Sequence, residues 1–124
     1  MGPLILDANV LIGLLDASDA HHDRAVTEVE AADHAGRELI VPASAYSEVL
    51  VAFARAGRTA EARHAIAAMG ITVEPLEADT AARAAELRAL HRHLRLPDAM
   101  VLAVATPAGR DLLTYDTRLA KLTT

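Results

Sequence analysis

The stretch that decides the fold is Leu4-Ile5-Leu6-Asp7-Ala8-Asn9-Val10-Leu11. Leu4, Ile5 and Leu6 follow Pro3 as a run too short for a helix, and they read as a buried strand. Val10, Leu11, Leu14 and Leu15 then recur at helical spacing. The chain therefore turns from strand to helix at Asp7. In an open parallel sheet, ligands bind beyond the carboxyl ends of the strands, and Asp7 is expected at that edge.

The same alternation continues outward. Leu39-Ile40-Val41, ended by Pro42, reads as a second strand. Ile71-Thr72-Val73-Glu74, between Gly70 and Pro75, reads as a third, and Asp111-Leu112-Leu113-Thr114-Tyr115 as a fourth. Helical periodicity fills the gaps. One helix is expected from a cap at Ser18 or Asp19 to about Ala35, one from Ser44 to Ala56, and one from Thr59 to Gly70. Another is expected from a cap at Asp79 or Thr80 through about Leu94, and a further one from Asp98 to about Ala105, with Pro97 in its first turn. Asp116 is placed to cap a last short helix. The prediction is an α/β fold with a mostly parallel sheet covered on both faces. No linker, low-complexity tract or long repeat interrupts it, so residues 1–124 read as one domain.

Composition excludes several classes. The chain is 52% hydrophobic, with 28 alanines, and 23% charged, which is too apolar for a disordered segment. A domain of this size buries about two-thirds of its unfolded surface. The absence of cysteine removes disulfide scaffolds, Cys-ligated zinc or iron–sulfur sites, and thiol catalysis. The N-terminus lacks the basic start and unbroken apolar run of a signal peptide, and no stretch approaches the roughly 20 apolar residues of a membrane helix. A cytoplasmic protein without a membrane partner is the expectation. The net charge of −5 argues against gripping nucleic acid by bulk positive charge, and three aromatic residues are too few for a base-stacking platform.

Chemistry is concentrated in four acids. Asp7 follows the first strand and Asp116 the fourth. Glu48 lies one turn into the helix after the second strand, and Asp98 opens a helix leading towards the fourth. Each could serve only as a helix cap or a solvated residue. Capping does not explain why Asp7 and Asp98 stand among Leu, Val and Met. Buried carboxylates repel one another and are costly to desolvate unless compensated, and no Lys or Arg adjoins them in sequence. A divalent cation is the natural compensator. An all-oxygen site selects Mg²⁺ or Mn²⁺ over zinc. Such an ion makes a bound water acidic enough to act as a nucleophile, which suits phosphodiester hydrolysis.

These segments resemble the PIN-domain nucleases over essentially the whole chain, and in size the toxin of a VapBC-type toxin–antitoxin pair. The resemblance rests on Leu6-Asp7-Ala8-Asn9, on Glu48 within Val41-Pro42-Ala43-Ser44-Ala45-Tyr46-Ser47-Glu48-Val49, on Leu96-Pro97-Asp98-Ala99, and on Leu113-Thr114-Tyr115-Asp116. It implies a three-layer α/β/α fold with a four- to five-stranded sheet. It implies a Mg²⁺- or Mn²⁺-dependent endoribonuclease in which Asp7, Glu48, Asp98 and Asp116 bind the metal and catalyse, with Asn9 and Thr114 in support. The implied partners are an RNA substrate (tRNA, rRNA or mRNA) and a small antitoxin protein. The implied assembly is a homodimer or a toxin–antitoxin hetero-oligomer. The alternative is a catalytically inactive PIN scaffold that only pairs with its antitoxin on DNA. Setting the four acids aside leaves 13 acids against 12 bases, so most of the negative charge is the site itself.

Weaker candidates remain. Arg88, Arg92 and Arg95 are expected to share a helix face beside Asp98, as a solvated face or as RNA contacts. His91 and His93 have a metal-ligand spacing only on a strand, and on the expected helix they diverge. His21, His22 and His64 show no partner. Two other α/β folds with acidic sites fit poorly. A phosphoryl-accepting receiver domain wants a Lys after a late strand, and the only Lys is Lys121. A haloacid-type phosphatase wants an Asp where Asn9 stands.

Overall fold

Four short strands, β1 (Leu4–Leu6), β2 (Leu39–Pro42), β3 (Ile71–Glu74) and β4 (Asp111–Leu113), form one sheet in the computed structural model, which describes residues 1–123. Every pairing is parallel, and the strand order is β3-β2-β1-β4. Parallel neighbours need crossover connections, and helices supply all of them. α1 (Ala8–Leu15) and α2 (His22–His34) join β1 to β2. α3 (Ala43–Arg55) and α4 (Thr59–Ala68) join β2 to β3. α5 (Ala78–Leu90) and α6 (Leu96–Ala105) join β3 to β4, and α7 (Thr117–Lys121) follows. The described residues hold four strands, the lower of the two expected numbers.

The order places a topological switch between β1 and β4. The chain first builds outward from β1 through β2 to β3, then returns to add β4 on the other side. At such a point the loops diverge and leave a crevice. Leu6 pairs with Leu113, so Asp7 and Thr114 leave the sheet side by side, with the Asp7 amide donating to the Leu113 carbonyl at 3.0 Å.

Both faces of β1 are covered. Leu4, Ile5 and Leu6 are all buried, as expected for a central parallel strand. Side chains alternate faces along a strand. Ile5 and Ile40 accordingly pack with Val104 and Ala105 near the end of α6. Leu4, Leu6, Leu39 and Val41 join the larger cluster with Val10 and Leu11 of α1 and Val29 of α2. Leu11 is fully buried. Leu11→Ala is expected to cost about 3 kcal/mol, read from the urea midpoint at unchanged slope. At the opposite edge, Arg37 donates to the carbonyls of Gly2 and Pro3 and pairs with Asp111 at 2.6 Å, fastening the starts of β1 and β4.

Several element ends differ from the sequence expectation. α2 starts at His22, after Ser18 and Asp19. Asp16 accepts from the Ser18 amide and hydroxyl, and Asp19 from the His21 amide, so these acids build turns where a cap was expected. α5 begins at Ala78, ahead of Asp79, and ends at Leu90, short of Leu94. His91 leaves helical geometry at φ −110 and ψ 96, and Leu94 enters the core from a turn closed by its amide on the His91 carbonyl. Arg95, the N-cap of α6, is extended at φ −71 and ψ 151, and Pro97 sits in the first turn, so the chain breaks before α6 packs back onto α5. β4 stops at Leu113 because Thr114 and Tyr115 turn to bond with Asp7 and Asn9. No helix among the described residues is long and apolar enough to cross a membrane.

Candidate functional site

Asp7 is the buried polar residue of the core, with 6% of its surface exposed. As N-cap of α1, its Oδ1 accepts from the Ala8 amide at 2.8 Å. Its Oδ2 accepts from the Thr114 hydroxyl at 2.7 Å and, more loosely, from Asn9 Nδ2 at 3.4 Å. Thr114 Oγ1 in turn accepts from the Asp116 amide at 3.1 Å and from Asn9 Nδ2 at 3.4 Å. Asn9 Oδ1 accepts from the Tyr115 amide at 3.1 Å. One network thus stitches the end of β1 to the turn after β4, and it fixes the Asp7 side chain from both sides. Asn9 and Thr114 occupy the supporting places expected of them.

The other acids meet at this edge. Asp116 caps α7, its Oδ1 accepting from the amides of Arg118 and Leu119, while Oδ2 has no hydrogen bond among the described residues. Asp98 sits in the first turn of α6, half-buried, with its Oδ2 3.4 Å from Arg95 Nε. This Arg, three residues upstream, partly compensates Asp98, contrary to the expectation of an acid with no basic neighbour. Glu48 lies in the second turn of α3 and is exposed, so of the four acids only Asp7 is buried.

Electrostatics binds the four into one cluster. Burial pushes the Asp7 carboxyl above its ordinary value, and the charges of Asp98 and Asp116 push it further, against the hydrogen bonds from Thr114 and Ala8. Glu48 is also raised, first by partial desolvation and then by Asp7 and Asp98, with Arg95 opposing. The edge is therefore short of positive charge.

No three carboxylates or imidazoles among the described residues converge into a ready-made metal cage. Mg²⁺ does not need one, since it is usually held by one or two carboxylates and keeps several waters. The donor set fits such an ion. It is all oxygen, it contains an incompletely compensated buried carboxylate, and Asp116 Oδ2 has no hydrogen bond among the described residues. Ser44, one turn before Glu48 on α3, carries a buried hydroxyl with no hydrogen-bond partner among the described residues.

The remaining candidates separate. Arg92, Arg95, His91 and His93 lie beyond the end of α5, so the shared helix face does not form, and all four line a cavity that Asp98 and Asp116 also line. Arg88 instead donates to the Arg92 carbonyl at 3.3 Å and steadies the turn. His22 Nδ1 bonds to the Gly13 carbonyl at 2.7 Å.

Sequence reasoning missed Tyr115. Its hydroxyl donates to Glu28 at 2.8 Å, Arg24 lies 4.4 Å over its ring, and His21 packs 4.6 Å away. Burial and the Glu28 bond raise its hydroxyl far above the ordinary range, so it stays a neutral donor. This clamp holds α2 against the turn bearing Thr114 and Asp116. The cue was its place between two site residues, but the partner of its hydroxyl, Glu28, lies 87 positions away in sequence.

Comparison with known proteins finds the same overall fold elsewhere. A chain of a toxin–antitoxin complex from Klebsiella pneumoniae is 25% identical, with a TM-score of 0.74 over 93% of this chain and 88% of its own. The sarcin–ricin loop cleaving toxin VapC20 of Mycobacterium tuberculosis is 20% identical, with a TM-score of 0.74 over 96% and 94%, a likeness of fold. No curated protein sequence matches significantly. The PIN domain profile matches residues 4–124, nearly the whole chain, with Asp7, Glu48, Asp98 and Asp116 all inside the match, and the chain belongs to the PIN domain family.

Proposed function

We propose that this protein is a metal-dependent endoribonuclease and the toxin of a toxin–antitoxin pair. The observation that carries the reading is Asp7, buried at the carboxyl edge of the sheet and raised by burial and by the charges of Asp98 and Asp116, with Glu48 raised in turn by Asp7 and Asp98. The structural likeness to a toxin–antitoxin chain supports the biological setting.

Asp7, Glu48, Asp98 and Asp116 would hold Mg²⁺ or Mn²⁺. Bound there, the ion supplies Lewis-acid polarisation of the phosphodiester and acidifies water. The reaction is hydrolysis, in which water attacks phosphorus and the bond to the 3′ oxygen breaks. Thr114 and Asn9 hold Asp7 in one rotamer, so its carboxylate need not reorganise as charge develops. Asp116 is oriented by the α7 amides that bond its Oδ1. Arg95 offers a guanidinium to the phosphate of an incoming strand. A small antitoxin and a homodimeric or hetero-oligomeric assembly complete the proposal.

Purified protein is expected to cleave single-stranded RNA in Mg²⁺ or Mn²⁺ and to be silent in EDTA. RNA left intact under both conditions, with an antitoxin complex still forming, would instead identify a binding scaffold.

A further inference from the structure

Three polar side chains of one helix close on a single ring. His21, Arg24 and Glu28 stand at i, i+3 and i+7, so they share one stripe of α2 and its cap. All three meet Tyr115. The His21 ring packs 4.6 Å from it, the Arg24 guanidinium lies 4.4 Å over its face, and Glu28 Oε1 accepts from its hydroxyl at 2.8 Å. The same Glu28 oxygen accepts from Arg24 Nε at 3.1 Å, so these two residues brace each other as well as the ring. An exposed Arg–Glu pair is worth little alone. Joined to a phenol and a ring face, it becomes part of a grip on the turn after β4.

α2 is itself firmly seated. Its neighbouring stripe, Ala25, Val29 and Ala32, is buried in the core. Gly13 of α1 lies so close that a Cβ there would meet the Ala25 Cβ at 3.2 Å and the His21 carbonyl oxygen at 3.3 Å. α1 carries Asp7 as its N-cap. One helix without a candidate ligand therefore abuts both the helix that starts at Asp7 and the turn that ends at Asp116.

That turn depends on such support. Thr114 reaches Asp7, and the Tyr115 amide donates to Asn9 Oδ1 at 3.1 Å, which ties the backbone to α1. The Tyr115 side chain ties it to α2. Asp116 has backbone amides as its hydrogen-bond donors among the described residues, so the carboxylate stands where the turn and α7 put it. We propose that Tyr115 is a positioning residue for the metal edge: through the grip of His21, Arg24 and Glu28 on its ring, α2 fixes the turn that places the Asp116 carboxylate beside Asp7. Tyr115 is not a ligand in this role, since its hydroxyl is given to Glu28. The inference rests on the metal-dependent reading of the acids and adds that α2 takes part in holding the ion. An ion that needs the turn in place also keeps it there, so metal binding and the docking of α2 strengthen each other.

Calorimetric titration of Mn²⁺ into metal-free protein tests this, with Tyr115→Phe, Glu28→Ala, the double variant and Glu28→Gln beside the wild type. Tyr115→Phe keeps the ring, and the Glu28 side chain, 35% exposed, can turn to water, so the fold is retained. Each of Tyr115→Phe and Glu28→Ala is expected to weaken Mn²⁺ binding about tenfold, the low end of the cost of removing support from a metal ligand. The double variant should bind no more weakly than the weaker single one, because both changes cut the same bond. Glu28→Gln keeps an oxygen to accept from the phenol and should bind as the wild type does. Hydrogen exchange gives a second readout: Mn²⁺ should slow the α2 amides in the wild type and leave them unchanged in Tyr115→Phe. A tyrosine that only steadies the fold would lower the melting temperature and leave the isotherms superimposable, which overturns the proposal. Additive losses in the double variant, or α2 exchange indifferent to Mn²⁺ in the wild type, also overturn it. A wild type that binds no Mn²⁺ removes the metal reading and this role together, whereas a wild type that binds beside unaffected variants removes this role alone.

Discussion

Asp7→Asn is expected to lower RNA cleavage by at least about 10³-fold, about 4 kcal/mol of barrier, while the metal-free variant melts higher than the wild type. The two effects share one cause. Asp7 is the enclosed acid and the one fixed by three side-chain or backbone donors, so it is the best-oriented ligand of the four. Its carboxyl is raised above the ordinary 3.8 because the fold desolvates it and sets Asp98 and Asp116 beside it. A raised folded-state value means that the folded protein binds this proton more tightly than the unfolded chain does. Its stabilising contribution is thus full below 3.8 and is lost as pH rises through the raised value. At neutral pH the metal-free protein has lost that contribution as far as pH has passed the raised value, and burial of the carboxyl is a cost. Asparagine removes the charge at nearly the same size, and a gain of about 4 °C, equivalent to about 1 kcal/mol for a domain of this length, is expected at pH 7. The gain should vanish towards pH 3.5. Melting curves of both proteins in EDTA across this range check the sign. Equal melting temperatures at pH 7, or cleavage within tenfold of wild type, would remove Asp7 from its assigned role.

Thr114→Val should lower cleavage 10- to 100-fold, the scale of losing a group that orients a metal ligand. Valine keeps the shape of threonine but can neither donate to Asp7 Oδ2 nor accept from the Asp116 amide. One substitution therefore loosens two candidate ligands at once. The loss should fall mainly on the Mg²⁺ concentration needed for half-maximal rate, with a smaller change in the rate at saturating metal. Thr114→Ser, which restores the hydroxyl, should recover most of the activity. A purely structural threonine would show a lowered melting temperature, about 1–2 kcal/mol for the orphaned groups, with an unchanged metal requirement.

The fold was legible because its signals are local. Pro3-Leu4-Ile5-Leu6 followed by Asp7 and the repeat of Val10, Leu11 and Leu14 contains both a strand and the turn into a helix, and the structure agrees. Pro97 marked the start of α6 and Asp116 the cap of α7 for the same reason. The helix expected through Leu94 failed because Leu94 continues the helical spacing of Leu87 and Leu90, yet reaches the core from a turn. Spacing cannot distinguish the two when the cause, packing of α6 back onto α5, is tertiary. Proximity of Asp7 and Thr114 followed from the strand ends once β1 and β4 were neighbours, and this depends on strand order rather than on either segment. The Tyr115 clamp and the cavity beside Asp98 were illegible because their parts come from separate helices and turns.

Titration of Mn²⁺ into metal-free protein by calorimetry, for wild type and Asp7→Asn side by side, tests the central claim most directly. Saturable binding in the wild type, weakened at least about tenfold by the substitution, is the predicted result. Superimposable isotherms, or no binding heat in the wild type, would contradict the assignment of this acidic edge as a metal-dependent nuclease site.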